Sequence, residues 1–204
     1  MNNSAQWSLD QDLEFILSAT EEVFLSLKDA RIFITGGTGF IGCWLLESLR
    51  HADMRLSLGV KLTVLTRDFA AFKLKAPHLA GYEPFNYVQG EVSSFSFPQE
   101  GFTHVIHAAT DASADLNANN PIGMFDTVVD GTKRVLDFAA EKQPTKILYL
   151  SSGAVYGQQP WEMERVSEEW MGAPNCVEPK AAYAEGKRAA EMMCAIYGKQ
   201  FGLQ

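Results

Sequence analysis

A tyrosine and a lysine lie four residues apart in the segment YAEGK, near the C-terminal end of the chain. Tyr183 and Lys187 stand among strong helix formers, so a helix would place both side chains on one face. A tyrosine can act as a base near neutral pH if its pKa of about 10 falls by roughly three units, which a neighbouring ammonium favours. The same spacing also arises by chance, with the lysine chain lying along a half-buried tyrosine. The pair alone is therefore weak evidence for a catalytic site, and its interpretation depends on the rest of the sequence.

The segment YLSSGAVYG, residues 149–157, is a second candidate for chemistry because it begins as a predicted strand and turns into small residues. Ligands of parallel sheets bind beyond the carboxyl ends of the strands. Small residues at such an end leave room for a ligand, and the two serines, Ser151 and Ser152, are among them. We expect the serine end of this strand and Tyr183 to face the same site.

Gly36, Gly39 and Gly42 are spaced by three residues, directly after a predicted strand and at the start of a predicted helix. In a dinucleotide site such glycines allow a tight turn, close approach of the backbone to the pyrophosphate and close packing of helix on strand. The helix N-terminus then offers free N–H groups to the phosphates. The alternative is a glycine-rich turn that only packs well. We favour the nucleotide site, and the predicted cofactor-binding residues of this loop are Gly36, Thr38, Gly39, Phe40, Ile41 and Gly42.

The end of the second predicted strand, VLTRD, bears on the choice between NAD and NADP. An acidic residue here usually holds the ribose hydroxyls of NAD, whereas a nearby arginine accommodates the extra phosphate of NADP. Thr66 occupies the position expected for the acid, and Arg67 follows it. We therefore expect NAD(P), with NADP favoured, and place both residues in the cofactor site. Two alternatives stay open: Asp68 as the ribose ligand after a two-residue shift of register, and a solvated Arg-Asp turn with no ligand.

Short apolar strands alternate with longer helical patterns, and this alternation predicts the elements that position these residues. The predicted strands are residues 31–35, 61–66, 85–89, 104–109 and 146–152. Apolar residues at helical spacing predict an N-terminal helix, with Ser8 and Gln11 as a capping box, and a helix that begins after Pro121. The fold class is therefore α/β, a doubly wound parallel sheet in three layers with an extra N-terminal helix. We divide the chain into a helical extension, 1–29, and a dinucleotide-binding domain, 30–204.

Charge and composition argue against several classes of protein. The 204 residues carry a net charge of -8, whereas an electrostatic nucleic-acid binder needs a basic face. No uncharged run reaches the ~20 residues that span a bilayer, so we expect no membrane association. The first basic residue is Lys28, so the N-terminus lacks the basic start of a secretory signal. Cys43, Cys176 and Cys194 show no metal-ligand spacing and no C-x-x-C pair, which predicts no metal site and a cytoplasmic setting.

Taken in order, the segments TGGTGFIG, HVIHAAT, YLSSGAVYG and YAEGK resemble the successive motifs of the extended short-chain dehydrogenase/reductase family, which includes nucleotide-sugar epimerases and dehydratases. The resemblance covers residues 31–204 and implies a Rossmann-like fold. It implies that Ser152 hydrogen-bonds the substrate oxygen, that Tyr183 is the acid/base, and that Lys187 binds the nicotinamide ribose and helps to ionise the tyrosine. The further cofactor-binding residues that it implies are Glu91, Ala108, Ala109, Tyr183 and Lys187.

Several positions depart from the family pattern. Gly153 and Ala154 replace the Asp-Glu pair that sugar dehydratases of this group carry after the catalytic Ser/Thr, which argues against 4,6-dehydratase chemistry. Val128 stands where the family usually has Asn. His107 lies at the family's cofactor-facing strand end, although a lone histidine there is more often structural. Family members also continue beyond the Tyr/Lys helix, so we expect a fragment of a longer protein rather than a natural short form.

Three functional hypotheses follow. The leading one is an NAD(P)-dependent epimerase/dehydratase-type enzyme that acts on a nucleotide-sugar, with proton abstraction by Tyr183 and hydride transfer at a ring carbon. The second is an NADPH-dependent carbonyl reductase of the same family, which Arg67 favours. The third is a non-catalytic dinucleotide-binding module, which is suggested by the departure from the family pattern at Val128. The resemblance also implies a homodimer formed through helices near 121–141 and 181–199.

Overall fold

The computed structural model describes residues 8–110 and 114–204, and at its centre lies one sheet of five parallel strands. The strands are β1 (Arg31–Thr35), β2 (Lys61–Thr66), β3 (Phe85–Gln89), β4 (His104–His107) and β5 (Lys146–Tyr149). Their order across the sheet is β3-β2-β1-β4-β5. The order reverses between β1 and β4, so the crevice of a doubly wound sheet opens at the carboxyl ends of these two strands. The predicted α/β class and parallel, Rossmann-like sheet are confirmed.

Helices cover both faces of the sheet. They are α1 (Leu9–Leu25), α2 (Phe40–Leu56), α3 (Phe69–Lys75), α4 (Pro77–Ala80), α5 (Ala114–Asn119), α6 (Pro121–Lys142) and α7 (Ala182–Phe201). Side chains alternate along β1: Ile32 and Ile34 join the core that contains α1 and α2 residues. Phe33 points to the opposite face, where its ring centroid lies 4.6 Å from that of Phe138 in α6. Burial on both faces explains why the middle of β1 is apolar at three consecutive positions.

Strands β4 and β5 end two and three residues earlier than predicted. Beyond β4, the N–H of Ala109 donates to the Oγ1 of Thr35 at 3.2 Å, a side-chain oxygen rather than a strand carbonyl. Beyond β5, the Oγ of Ser152 accepts from the N–H of Ala154 at 3.2 Å and caps a single 3-10 turn. The predicted ends of both strands were therefore wrong, because side-chain hydroxyls replace the ladder partners there.

The N-terminal helix α1 packs against α2 and contributes Leu17 and Phe24 to the core beneath the sheet. Ser8 is its N-cap, but the Ser8 side chain makes no capping hydrogen bond, and the predicted capping box is not formed. The Ser8 carbonyl accepts from the N–H of Gln11 at 3.1 Å instead. Across residues 8–110 and 114–204, no helix combines the length and the apolar character that a membrane span requires.

Candidate active site

The loop between β1 and α2 requires glycine at two positions. Gly36 has a φ of +74°, and a Cβ there would lie 2.5 Å from the backbone of Ala108 and Ala109. A Cβ on Gly42 would collide with the carbonyl oxygen of Gly36 and the backbone of Gly37. The loop therefore packs backbone to backbone against α2 and against the segment after β4, an approach that only glycine permits.

A cleft of about 490 Å³ opens beside this loop, at the carboxyl ends of the strands. Every cofactor-binding residue predicted from the sequence lines this cleft, with the exception of Lys187. The lining residues that sequence reasoning missed are Leu65, Gly90, Val92, Thr110, Thr127, Leu150 and Ser151. Five of them directly adjoin predicted site residues, so extending those predictions by one residue would have found them: Leu65, Gly90, Val92, Thr110 and Ser151. Thr127 and Leu150 adjoin none and reach the cleft through the packing of helix and strand.

Helix α2 begins at the cleft wall and presents its N-terminus to it. Gly39 is the N-cap and has no side chain to satisfy the first N–H groups of the helix. The partial positive charge of a helix N-terminus favours a bound anion such as a phosphate. Phe40 and Ile41, the first two helical residues, are 78% and 51% exposed beside these groups. This end of the cleft therefore suits a ligand with both a phosphate and an apolar surface.

The end of β2 forms a corner of the cleft, and the side chains there differ in exposure and in hydrogen bonding. Thr66 is buried, with its Oγ1 3.4 Å from the Oγ1 of Thr38. Asp68 uses its Oδ1 to cap α3, accepting from the N–H of Ala71 at 2.9 Å. Arg67 is exposed and lines both the main cleft and a smaller adjoining groove of about 210 Å³. The capping role of Asp68 counts against the shifted register in which it would hold a ribose.

Lys187 lies buried behind the cleft wall, and only 2% of the residue is exposed. Its Nζ donates to the carbonyl oxygen of Leu150 at 2.7 Å. The same nitrogen lies 4.7 Å from the ring centroid of Tyr149 and 5.9 Å from that of Tyr183. Burial lowers the pKa of Lys187 to about 8, and the nearby Glu191 carboxylate opposes this effect. Tyr183 itself lines the cleft, so the predicted pair lies together with one member exposed to a ligand and the other behind it.

A model of the NAD dependent epimerase/dehydratase family matches residues 32–204. The chain belongs to this family. The extended short-chain dehydrogenase/reductase resemblance, which rested on four short motifs, is thereby confirmed over nearly the same residues.

Individual relatives agree with the family. UDP-glucuronic acid decarboxylase 1 of Xenopus tropicalis is 35% identical over 182 residues, covering 89% of this chain and 41% of that protein. A dTDP-glucose 4,6-dehydratase of Streptomyces niveus is 24% identical over 180 residues, covering 85% of this chain and 51% of that protein. The chain thus spans about half the length of the curated relatives it matches, or less.

Solved structures agree as well. UDP-glucose 4-epimerase of Thermus thermophilus, solved as a complex with NAD, superimposes with a TM-score of 0.65 at 28% identity, covering 85% of this chain and 52% of that one. A dTDP-glucose 4,6-dehydratase of Streptomyces venezuelae superimposes with a TM-score of 0.73 at 21% identity, covering 85% and 53%. At 21% identity, the similarity to the dehydratase structure supports the fold alone.

The two serines after β5 have different surroundings in this family member. Ser151 lines the cleft, and its Oγ donates to the Oε1 of Glu191 at 2.5 Å. Ser152 is half-buried, caps the 3-10 turn and is not among the residues of the cleft wall. The geometry brings Ser151, rather than Ser152, into the wall that also contains Tyr183. The catalytic role of Ser152 stays a prediction.

His107 is buried between two threonines and does not line the cleft. Its Nδ1 lies 2.7 Å from the Oγ1 of Thr35, and its Nε2 lies 3.1 Å from the Oγ1 of Thr132. Burial, with a smaller contribution from the charge of Lys187, lowers the pKa of His107 to about 3. The neutral ring joins β1, β4 and α6. Of the two roles considered for His107, cofactor contact and structural support, the observed contacts are those of structural support.

Val128 fills the position where the family usually has Asn. It is 3% exposed and belongs to a small core between α6 and α7 with Met124 and Ala190. The helices approach closely here, since a Cβ on Gly186 would lie 3.2 Å from the Cβ of Val128. An apolar contact thus replaces the polar side chain of the family, and it contributes to the packing that supports Tyr183 and Lys187.

Proposed function

We propose that the chain forms the dinucleotide-binding and proton-transfer part of an enzyme that modifies a nucleotide-sugar. The observation that carries this proposal is the position of Tyr183, which lines the same cleft as the glycine loop and has the buried Lys187 behind it. The relatives support the substrate class, because they are named as enzymes of UDP-glucuronic acid and dTDP-glucose.

The residues of the cleft suit a dinucleotide. The glycine loop and the start of α2 would hold the phosphates, and Thr66, Arg67 and Glu91 would hold the adenosine end. Ala108, Ala109 and Tyr183 would hold the nicotinamide end, with Lys187 behind it. Thr110 strengthens the fit, because its Oγ1 is buried in the cleft wall and has no hydrogen-bond partner among the described residues, and such a group needs one. When bound, the nicotinamide accepts and returns a hydride.

Residues of this chain would carry out the proton transfer. Tyr183 must give up its phenolic proton before it can take one from a sugar hydroxyl, and a shift of roughly three pKa units corresponds to about 4 kcal/mol. The Lys187 ammonium favours the phenolate, and its burial weakens screening by water. Near neutral pH this lysine is mostly protonated, because its lowered pKa is still about 8. Ser152, by the family resemblance, would hold the reacting oxygen in place.

The proposal extends to NADP as the preferred cofactor. Arg67 and Lys75 flank the smaller groove beside Thr66, and the Nζ of Lys75 donates to the carbonyl oxygen of Thr38 at 3.2 Å. Two cations at this corner favour the additional phosphate of NADP. Asp68, which would favour NAD, caps α3 instead.

The direct test is native mass spectrometry of the purified chain with NAD and with NADP, followed by addition of a UDP-sugar and measurement of bound reduced cofactor by its absorbance. A stoichiometric dinucleotide adduct whose nicotinamide becomes reduced would support the proposal. The absence of any adduct at high dinucleotide concentration would contradict it for this chain.

A carbonyl reductase is the second candidate function, and the groove with Arg67 and Lys75 favours it because reductases commonly use NADPH. Net consumption of free NADPH would distinguish a reductase from an epimerase, which returns the hydride within one cycle. The third hypothesis, a non-catalytic module, predicts a dinucleotide adduct without reduction of the nicotinamide by any nucleotide-sugar.

The same proposal includes a homodimer in the cytoplasm. Ile122 of α6 and Met192 and Ile196 of α7 are large apolar residues with more than 40% of their surface exposed, which supports a contact through these helices. Cys43, Cys176 and Cys194 are free thiols, as a reducing compartment would keep them. Sedimentation velocity of the purified chain tests the dimer.

A further inference from the structure

Glu191 reaches the cleft through its neighbours rather than directly. It lies four residues beyond Lys187 on α7, about one helical turn. Its carboxylate accepts the Ser151 hydroxyl, and the Lys187 ammonium donates to the carbonyl of Leu150. Two consecutive residues after β5 are therefore tied to two successive turns of α7.

The hydrogen bond to Glu191 determines what Ser151 can offer to a ligand. A serine has one hydroxyl proton, and here that proton is committed to a carboxylate. The oxygen of Ser151, which lies in the cleft wall, then has only lone pairs for a second partner. Both side chains are exposed, so water competes for them, but hydrogen bonds to a charged acceptor are roughly twice as strong as neutral ones and favour this orientation of the hydroxyl.

We propose that Glu191 is a positioning residue of the cleft, which holds the Ser151 hydroxyl as a hydrogen-bond acceptor for an O–H or N–H group of the ligand and maintains the positive charge of Lys187. The inference deepens the proposed function and rests on it for the identity of that ligand. Glu191 acts through its two neighbours and not by contact with the reacting atoms.

Among residues 8–110 and 114–204, Glu191 is the carboxylate whose charge acts on Lys187. The titratable groups of these residues that face the lysine are His107 from β4, Tyr149 from β5, and Tyr183, Glu191 and Cys194 from α7. The low pKa of His107 keeps it neutral, and burial raises the pKa of Tyr149 and raises that of Cys194 to about 11. The carboxylate of Glu191 therefore opposes the desolvation of the lysine.

The first test measures the Lys187 pKa by NMR of the chain with ¹³C-labelled lysine ε-methylene groups, with the signal assigned through Lys187→Arg. We expect a downward shift of this pKa in Glu191→Gln and none in Glu141→Gln, a matched change of an exposed carboxylate on α6. An unchanged pKa in Glu191→Gln, or an equal shift in Glu141→Gln, would overturn the proposed effect on the lysine. A residue with only a packing role would not move this pKa selectively.

The second test is a double-mutant cycle with Ser151→Ala and Glu191→Ala, read by urea unfolding. We expect the double variant to lose less stability than the sum of the two single variants, because both remove the same hydrogen bond. Additive losses would overturn the claim that Glu191 holds Ser151. Neither test requires turnover or bound dinucleotide, so a failure of the proposed function would be distinguishable from a failure of this inference.

Discussion

The Nζ of Lys187 lies 2.7 Å from the carbonyl oxygen of Leu150, and this hydrogen bond joins the helix that carries Tyr183 to the end of the strand that lines the cleft. A backbone carbonyl needs no particular side chain, so the bond tolerates change of sequence at residue 150. The lysine is almost fully buried, and its charge therefore acts on Tyr183 from a fixed direction. The position of the ammonium depends on how α7 packs against β5.

Replacing Tyr183 by Phe removes the phenolic oxygen and leaves the ring in place. If the tyrosine transfers the proton, we expect kcat with a nucleotide-sugar to fall by about 10²–10⁴-fold. Dinucleotide affinity should change little, because the rest of the cleft is intact. Single-turnover reduction of bound cofactor is the measurement, and an unchanged rate in Tyr183→Phe would exclude the role assigned to this residue.

Replacing Gly36 by Ala should both destabilise the chain and prevent dinucleotide binding. The new Cβ would lie 2.5 Å from the backbone of Ala108 and Ala109, at a φ of +74°. Strained backbone of this kind costs about 1–3 kcal/mol, and displacement of the loop adds to that figure. Gly101→Ala is the matched control, because its Cβ would have its nearest neighbour at 3.6 Å. Equal midpoints of urea unfolding for the two variants would contradict the prediction.

Removing Arg67 or Lys75 should lower the affinity for NADP and leave that for NAD nearly unchanged. Each side chain flanks the groove beside Thr66, where an additional phosphate would meet both cations. We expect Arg67→Ala and Lys75→Ala each to raise the Kd for NADP by about tenfold, which corresponds to about 1.4 kcal/mol. Lys73→Ala is the control, because Lys73 lies on α3 with Lys75 but lines neither the cleft nor the groove. Calorimetry that gives the same change of Kd for NAD and NADP would argue against a phosphate site here.

His107 should make the stability of the chain depend on pH in the acidic range. Its pKa is about 3 in the folded protein and about 6.5 in the unfolded chain, so between these values the unfolded chain binds more protons. Stability therefore rises with pH from about 3 to about 6.5 and is lost as the pH falls through that window, by up to about 1.4 kcal/mol per pH unit.

The measurement is urea unfolding at several pH values for the original chain and for His107→Gln, whose new side chain does not titrate. The substitution itself is expected to lower the stability at neutral pH, since the contacts to Thr35 and Thr132 change. Only the slope against pH bears on the prediction. Parallel slopes for the two proteins would show that His107 does not carry this dependence.

The local sequence was sufficient for strands β1 and β2 and for the glycine loop. Continuous apolar stretches such as residues 31–35 and 61–66 predict strands buried on both faces, and β1 and β2 have these bounds. Gly36 and Gly42 were identified by their spacing and by their place between a predicted strand and a predicted helix, where close backbone approach requires glycine at defined positions. Tyr183 and Lys187 were identifiable because both lie on one helix, where spacing sets direction.

The tertiary structure decided which side chains after a strand face the cleft. The family resemblance assigns the substrate contact to Ser152, which stays a prediction, and the structure adds Ser151 to the cleft wall, since strand β5 ends at Tyr149 and the chain turns there. A shift of one residue along an extended segment moves a side chain to the opposite face, so local pattern cannot resolve this choice. The contacts of Ser151 with Glu191 and of His107 with Thr35 and Thr132 join residues 25 to 72 positions apart. Such contacts depend on the packing of α6 and α7 against the sheet, which no short segment of the sequence encodes.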